Sequence, residues 1–140
     1  MKIHVDEITL STKKRFELID ITSRIEDIVK KSNINNGLLL VYAPHATVSI
    51  IVNENESGLI EDIINKVKEI TEPDSSKWKH NLIDDNAHAH IGSALFDSSR
   101  VFPVINGRIA RGTWQNIFLF EMDGPRSSRK IYVVVIGEEK

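Results

Sequence analysis

Val101-Phe102-Pro103-Val104-Ile105-Asn106-Gly107 is the stretch whose reading decides the fold class. A β-branched and aromatic run meets Asn-Gly, a pair that tolerates the positive φ of a tight hairpin turn and so sends the chain back antiparallel. Downstream, Thr113-Trp114-Gln115-Asn116-Ile117-Phe118-Leu119-Phe120-Glu121 reads as a long strand. Gly124 to Arg129 reads as a turn, and Lys130 to Gly137 as a closing strand. The last third is therefore strand after strand.

Working outward, Leu38-Leu39-Leu40-Val41-Tyr42 is a continuous apolar run, which predicts a strand buried on both faces. Pro44 ends it, and Val48 to Asn53 follows as another strand. Ile3 to Leu10 reads as a first strand with Arg15 to Asp20 as its partner, turning through Ser11 to Lys14. A helix capped by Thr22 or Ser23 carries Ile25, Ile28 and Val29 on one face and ends near Asn33 to Gly37. A second helix runs from about Ser57 to Ile70, and Glu72-Pro73-Asp74 breaks it. Trp78 to Asn86 reads as an irregular polar connection, where function tends to sit. Strands, helix, strands, helix, strands without a βαβ rhythm predict an α+β fold with a mixed or antiparallel sheet, in one domain over 1–140.

Composition narrows the function classes. The chain has 140 residues, a 41% hydrophobic share and a net charge of -2, which supports one real core and argues against coating a nucleic-acid duplex. No apolar run approaches the roughly 18–20 residues that span a bilayer, and the N-terminal residues lack the apolar stretch of a signal peptide, so the expectation is a cytoplasmic protein. Without cysteine there is no thiolate ligand and no Cys nucleophile. Gly-x-Ser-x-Gly elbows and Gly-rich phosphate loops are also missing.

The chemistry-bearing residues fall in a few segments. Asp84-Asp85-Asn86-Ala87-His88-Ala89-His90 is the tightest group. In an extended segment His88 and His90 would face one side and one ligand; on a helix they would diverge by roughly half a turn. Two imidazoles and a carboxylate suit a zinc-type ion, while one surface histidine and one helix-capping histidine is the plain structural alternative. His45 and Thr47 lie between the two central strands, and Glu54 follows the second. Arg111-Gly112-Thr113-Trp114-Gln115 offers a flat indole and an amide for a polar ring edge, or else a bulged strand with a core tryptophan. Arg126 and Arg129 flank two serines in a mix that suits phosphate, or a solvated turn. Five of the seven arginines lie between Arg100 and Arg129, consistent with anion recognition.

Taken together, His45 to Glu54, Asp84 to His90, Gly107-Arg108 with Gly112 to Gln115, and Gly124-Pro125-Arg126 with Arg129 resemble the secondary thiamine-phosphate synthase family, also called YjbQ-like. The resemblance covers essentially the whole chain. It implies two packed mixed or antiparallel sheets with two main helices, and a homotrimer. It also implies an enzyme that joins a pyrimidine pyrophosphate to a thiazole phosphate with release of pyrophosphate, as a secondary activity of the site. Carried onto this sequence, it places His45, His90, Asp85 and Glu54 in the catalytic site, with His45, His88 and His90 as metal ligands. Thr47, Asn86, Thr113, Trp114, Gln115, Arg126 and Arg129 are then the substrate-binding set. Magnesium fits the synthase chemistry, and a zinc-type ion fits the histidines. Two other readings stay open: a metal-dependent hydrolase of a small phosphorylated substrate, and a non-catalytic trimeric metabolite-binding protein.

Overall fold

The computed structural model describes residues 1–140. In chain order the first half holds β1 (Lys2–Thr12), β2 (Glu17–Asp20), α1 (Thr22–Ser32), β3 (Ile34–Tyr42), β4 (Val48–Asn53) and α2 (Ser57–Thr71). The second half holds a 3₁₀ turn (Lys79–Leu82), α3 (Ala87–Phe96), β5 (Ser99–Ile105), β6 (Arg108–Ile109), β7 (Asn116–Glu121) and β8 (Arg126–Glu139). The strands form two sheets of order β1-β8-β3-β5-β6 and β2-β7-β4, antiparallel at every pairing. The fold is α+β.

Residues of alternating direction build the layers. On the larger sheet Ile131, Val133 and Val135 of β8, with Leu39 and Val41 of β3, point inward against Val48, Ile50, Ile117 and Leu119 of the smaller sheet. Helix α1 closes that core with Ile25, Ile28 and Val29, one stripe at helical spacing. On the far face of the smaller sheet, Phe120 and Met122 pack with Phe16, Val67 and Ala89, so α2 and α3 form a third layer. Gly92 lets α3 lie close on Met122, because a Cβ there would sit 2.5 Å from the methionine sulfur. The outer face of the larger sheet carries no layer.

Several expectations change. The β5–β6 hairpin forms as expected, with Asn106 at φ 53 and Gly107 at φ 79. Strand β1 pairs with β8 along nearly its whole length, whereas β2 joins β7 in the other sheet. The expected turn at Ser11 to Lys14 gives way to a crossover between sheets through Lys13 to Phe16, which a local pairing pattern does not reveal. The run in β3 alternates instead of being buried on both faces: Leu39 and Val41 are buried, Leu38 and Tyr42 exposed. Helix α1 has no side-chain cap, because Thr22 is already helical and its hydroxyl accepts the Ile117 amide at 2.8 Å. Strand β7 begins only at Asn116, leaving Gly112 to Gln115 in a turn, while Arg126 to Arg129 belong to β8 and not to a turn. Finally, Ala87 to His90 is helical, so there are three α-helices. No helix is long and apolar enough to cross a membrane.

Candidate functional site

Where β7 ends and β8 begins, a buried ion pair anchors a group of polar side chains. Arg129 grips the Glu121 carboxylate with Nε at 2.8 Å and Nη2 at 2.6 Å, a bidentate geometry. The same Nη2 donates to the Thr47 hydroxyl at 2.9 Å, and the Thr12 hydroxyl donates to Glu121 at 2.7 Å. Burial presses the Glu121 carboxyl upward, but the hydrogen bonds from Arg129 and Thr12 outweigh it and hold the group below the usual glutamate value. Glu121 is fully enclosed, and the pair fixes the positions of Thr12 and Thr47 around it.

Outward from that anchor, the chain of contacts reaches solvent. The Arg126 amide donates to Thr12 at 2.9 Å, and its exposed guanidinium pairs with Asp123 at 2.7 Å. Asp123 also accepts from Asn86 Nδ2 at 2.9 Å, and Asn86 Oδ1 lies 2.9 Å from His80 Nε2. The His80 ring meets the His90 ring edge-on, with centroids 4.9 Å apart. Arg126, Asp123, Asn86, His80 and His90 therefore form one surface group, with half-buried imidazoles beside an exposed guanidinium. Asp85 is exposed on the loop that leads into α3.

The other histidines are engaged elsewhere. His45 Nε2 lies 2.9 Å from the Lys130 amide and 3.1 Å from the Lys130 carbonyl, so the β8 backbone fixes the ring. Burial, then the charge of Arg129, lowers its pKa and keeps it neutral. His88 is fully buried; its Nε2–H donates to the Met122 carbonyl at 2.8 Å, and its Nδ1 has no partner. Burial lowers its pKa too. Because α3 is a helix, successive positions turn by about 100°, and His88 and His90 point to different sides. The expectation that both face one ligand is corrected on this ground. No three His, Asp or Glu side chains gather into a metal-binding group within the chain.

Four expected site residues lie at the opposite end of β7. Register places Val48 opposite Glu121 but Asn53 opposite Asn116, so Glu54 sits with the turn that holds Thr113, Trp114 and Gln115. That end is about 17 Å from Glu121 along the strand. There Gln115 Oε1 accepts the Gly112 amide at 2.8 Å, and its carbonyl accepts Arg111 Nη1 at 2.9 Å. Trp114 is 70% exposed, so it is neither a core tryptophan nor part of the histidine group.

Sequence reasoning missed His80, Thr12, Glu121 and Asp123. A readable signal existed for one of them: Glu121 closes the buried run Ile117 to Phe120, where an acid needs a partner.

The family model described as UPF0047 protein YjbQ-like matches residues 6–138. The chain belongs to this YjbQ-like family. A UPF0047 protein of Methanothermobacter thermautotrophicus is 45% identical over 99% of this chain and 95% of its own length. The UPF0047 protein YugU of Bacillus subtilis is 35% identical over 93% of this chain and 97% of its own. Among solved structures, a YbjQ-like protein of Sulfolobus solfataricus is 57% identical, covers 98% of this chain and 99% of its own, and superposes with a TM-score of 0.96. A protein of Aeropyrum pernix superposes with a TM-score of 0.93 at 44% identity, covering 96% of this chain and 99% of its own. The β/β/α layering of the YjbQ-like chain is thus shared with these experimental structures.

Proposed function

We propose that this YjbQ-like chain is an enzyme acting on phosphorylated small molecules, with thiamine-phosphate synthesis as its reaction. The carrying observation is the surface group in which exposed Arg126, paired with Asp123, is linked through Asn86 to the His80–His90 pair. In that reaction the bond between the pyrimidine's methylene carbon and a pyrophosphate oxygen breaks. Pyrophosphate leaves with the electron pair, and the thiazole nitrogen bonds to the carbon. Charge accumulates on the departing oxygens, and a guanidinium held in place stabilises it. His90 donates a hydrogen bond or a proton to the same oxygens. A divalent ion such as magnesium would accompany the pyrophosphate, with Asp84 and Asp85 the nearest free carboxylates in sequence.

In this reading the protein is a homotrimer. Val5, Leu38, Tyr42 and Val101 are exposed on the uncovered outer face of the larger sheet, an apolar surface of the kind that mates with another copy. Thr113, Trp114, Gln115 and Glu54 then serve a site that a neighbouring copy completes, since one chain holds them apart from the histidines. The hydrolase reading needs His45, His88 and His90 on one ion and draws no support from their directions. The test is incubation of purified protein with pyrimidine pyrophosphate and thiazole phosphate. Joint consumption with equal pyrophosphate release supports synthesis; phosphate release from either compound alone supports hydrolysis; saturable binding without turnover supports a binding protein.

A further inference from the structure

A wide cleft lies far from the histidine group. It opens between the last turn of α1, the tip of the β5–β6 hairpin and the end of β8, with a volume of about 700 Å³. That end of β8 is roughly 35 Å of strand away from Arg129. Lys30, Arg108, Arg111 and Lys140 line the cleft against a single acidic side chain, Glu26. These cations come from separate segments of a chain whose net charge is -2, so they gather against the overall balance.

Their surroundings leave charge to spare. Glu26 stands 3.7 Å from Arg111 Nη2, so the one acid is already engaged. Lys30, Arg108 and Lys140 form no ion pair. Arg111 is preorganised, since its Nη1 donates to the Gln115 carbonyl at 2.9 Å. The hairpin tip is fixed by the Gly107 amide, which donates to the Asn35 carbonyl at 2.8 Å. Gly107 has φ +79, and a Cβ on it would fall 2.7 Å from the Lys140 ammonium, so bare backbone is what lets that charge lie over the tip. The C-terminal dipole of α1 accounts for Lys30, but not for cations supplied by the hairpin and by β8. Four cations beside one acidic side chain repel one another, and a multiply charged anion relieves that repulsion.

We infer that this cleft is a second ligand site, which binds a small molecule bearing a diphosphate or triphosphate. The volume suits a nucleotide-sized ligand. Val29 and Ile109 are the only apolar side chains lining it, so recognition is of charge and not of a greasy body. Two arginines supply planar donor pairs that match phosphate oxygens, and two lysines add point charges. The cleft shares Thr113 with the turn assigned above to the substrate site, but the inference stands on its four cations and not on the synthase reading.

The probe is inorganic tripolyphosphate, titrated calorimetrically into protein carrying Arg126→Ala, which removes the exposed guanidinium of the histidine group. Saturable binding is expected there, weakening at least about tenfold when Arg108→Gln and Lys140→Gln are added. It should also weaken as salt is raised. Both added positions are on the surface, and unchanged thermal unfolding would show that the fold persists. No saturable binding in the Arg126→Ala protein, or binding indifferent to the added substitutions, overturns the inference. Turnover of the pyrimidine and thiazole substrates by the unaltered protein is read separately, so either reading can fail alone.

Discussion

Replacing Arg129 by Met should be among the most damaging single changes in this protein. The side chains of Arg129 and Glu121 are 7% and 0% exposed, so the substitution strands a carboxylate away from water. Glu121 would keep the Thr12 hydroxyl and the Asp123 amide but lose both strong donors. Breaking a buried pair from one side typically costs about 3–5 kcal/mol, mostly the penalty of the orphaned charge. At this chain length that corresponds to a fall in Tm of roughly 10–15 °C. Part of the loss should return in Arg129→Met/Glu121→Gln, because a neutral amide is far cheaper to bury than an unpaired carboxylate. The assay is thermal unfolding of wild type, single and double variants at pH 7, with urea unfolding as a second measure. A loss below about 1 kcal/mol in the single variant, or a double variant no more stable than the single, would refute the reasoning.

Other outcomes follow from single contacts. His88 has a folded pKa below 6.5, so as pH falls through that value the unfolded chain takes up a proton that the folded chain refuses. Stability should therefore drop below about pH 6.5, and urea titrations from pH 7.5 to 5 should show a shallower drop in His88→Gln; identical slopes would count against a neutral buried His88. Gly37→Ala should cost more than about 2 kcal/mol, since its Cβ would collide with the Ile136 carbonyl and the Gly137 backbone of β8; unchanged urea unfolding would contradict this. Val101→Glu places a charge on the uncovered sheet face and should shift the protein to a smaller species on size-exclusion chromatography with light scattering. A single unchanged mass would remove that face from the assembly.

Much of the fold was legible because periodicity and turn chemistry are local. Asn106-Gly107 marked its hairpin, and Ile25, Ile28 and Val29 marked the buried stripe of α1. Pairings decided by the whole chain were not legible. Nothing near Ile3 to Leu10 states that its partner lies in β8, and a four-residue β2 mimics a hairpin partner. The turn of Ala87 to His90 into a helix was hidden because alternating Ala and His satisfies a strand pattern as well, and tertiary packing on β4 decides it. For the site, residue types were readable and convergence was not. Arg126, Asn86 and His90 come together, while Glu54, Trp114 and Gln115 are carried to the other end by the direction of β4 and β7. The pairing of Arg129 with Glu121 was not legible either, because it joins two strands of different sheets.

The central claim is tested most directly by mixing pyrimidine pyrophosphate, thiazole phosphate and magnesium with the purified protein. Thiamine phosphate and pyrophosphate would be measured together, beside Arg126→Ala and His90→Asn variants shown to be folded. The expected result is equal formation of both products, with turnover lowered at least about tenfold in each variant and little change in thermal stability. No joint product from the unaltered protein, or turnover that both variants leave intact, would contradict the assignment of this surface group as a synthase site.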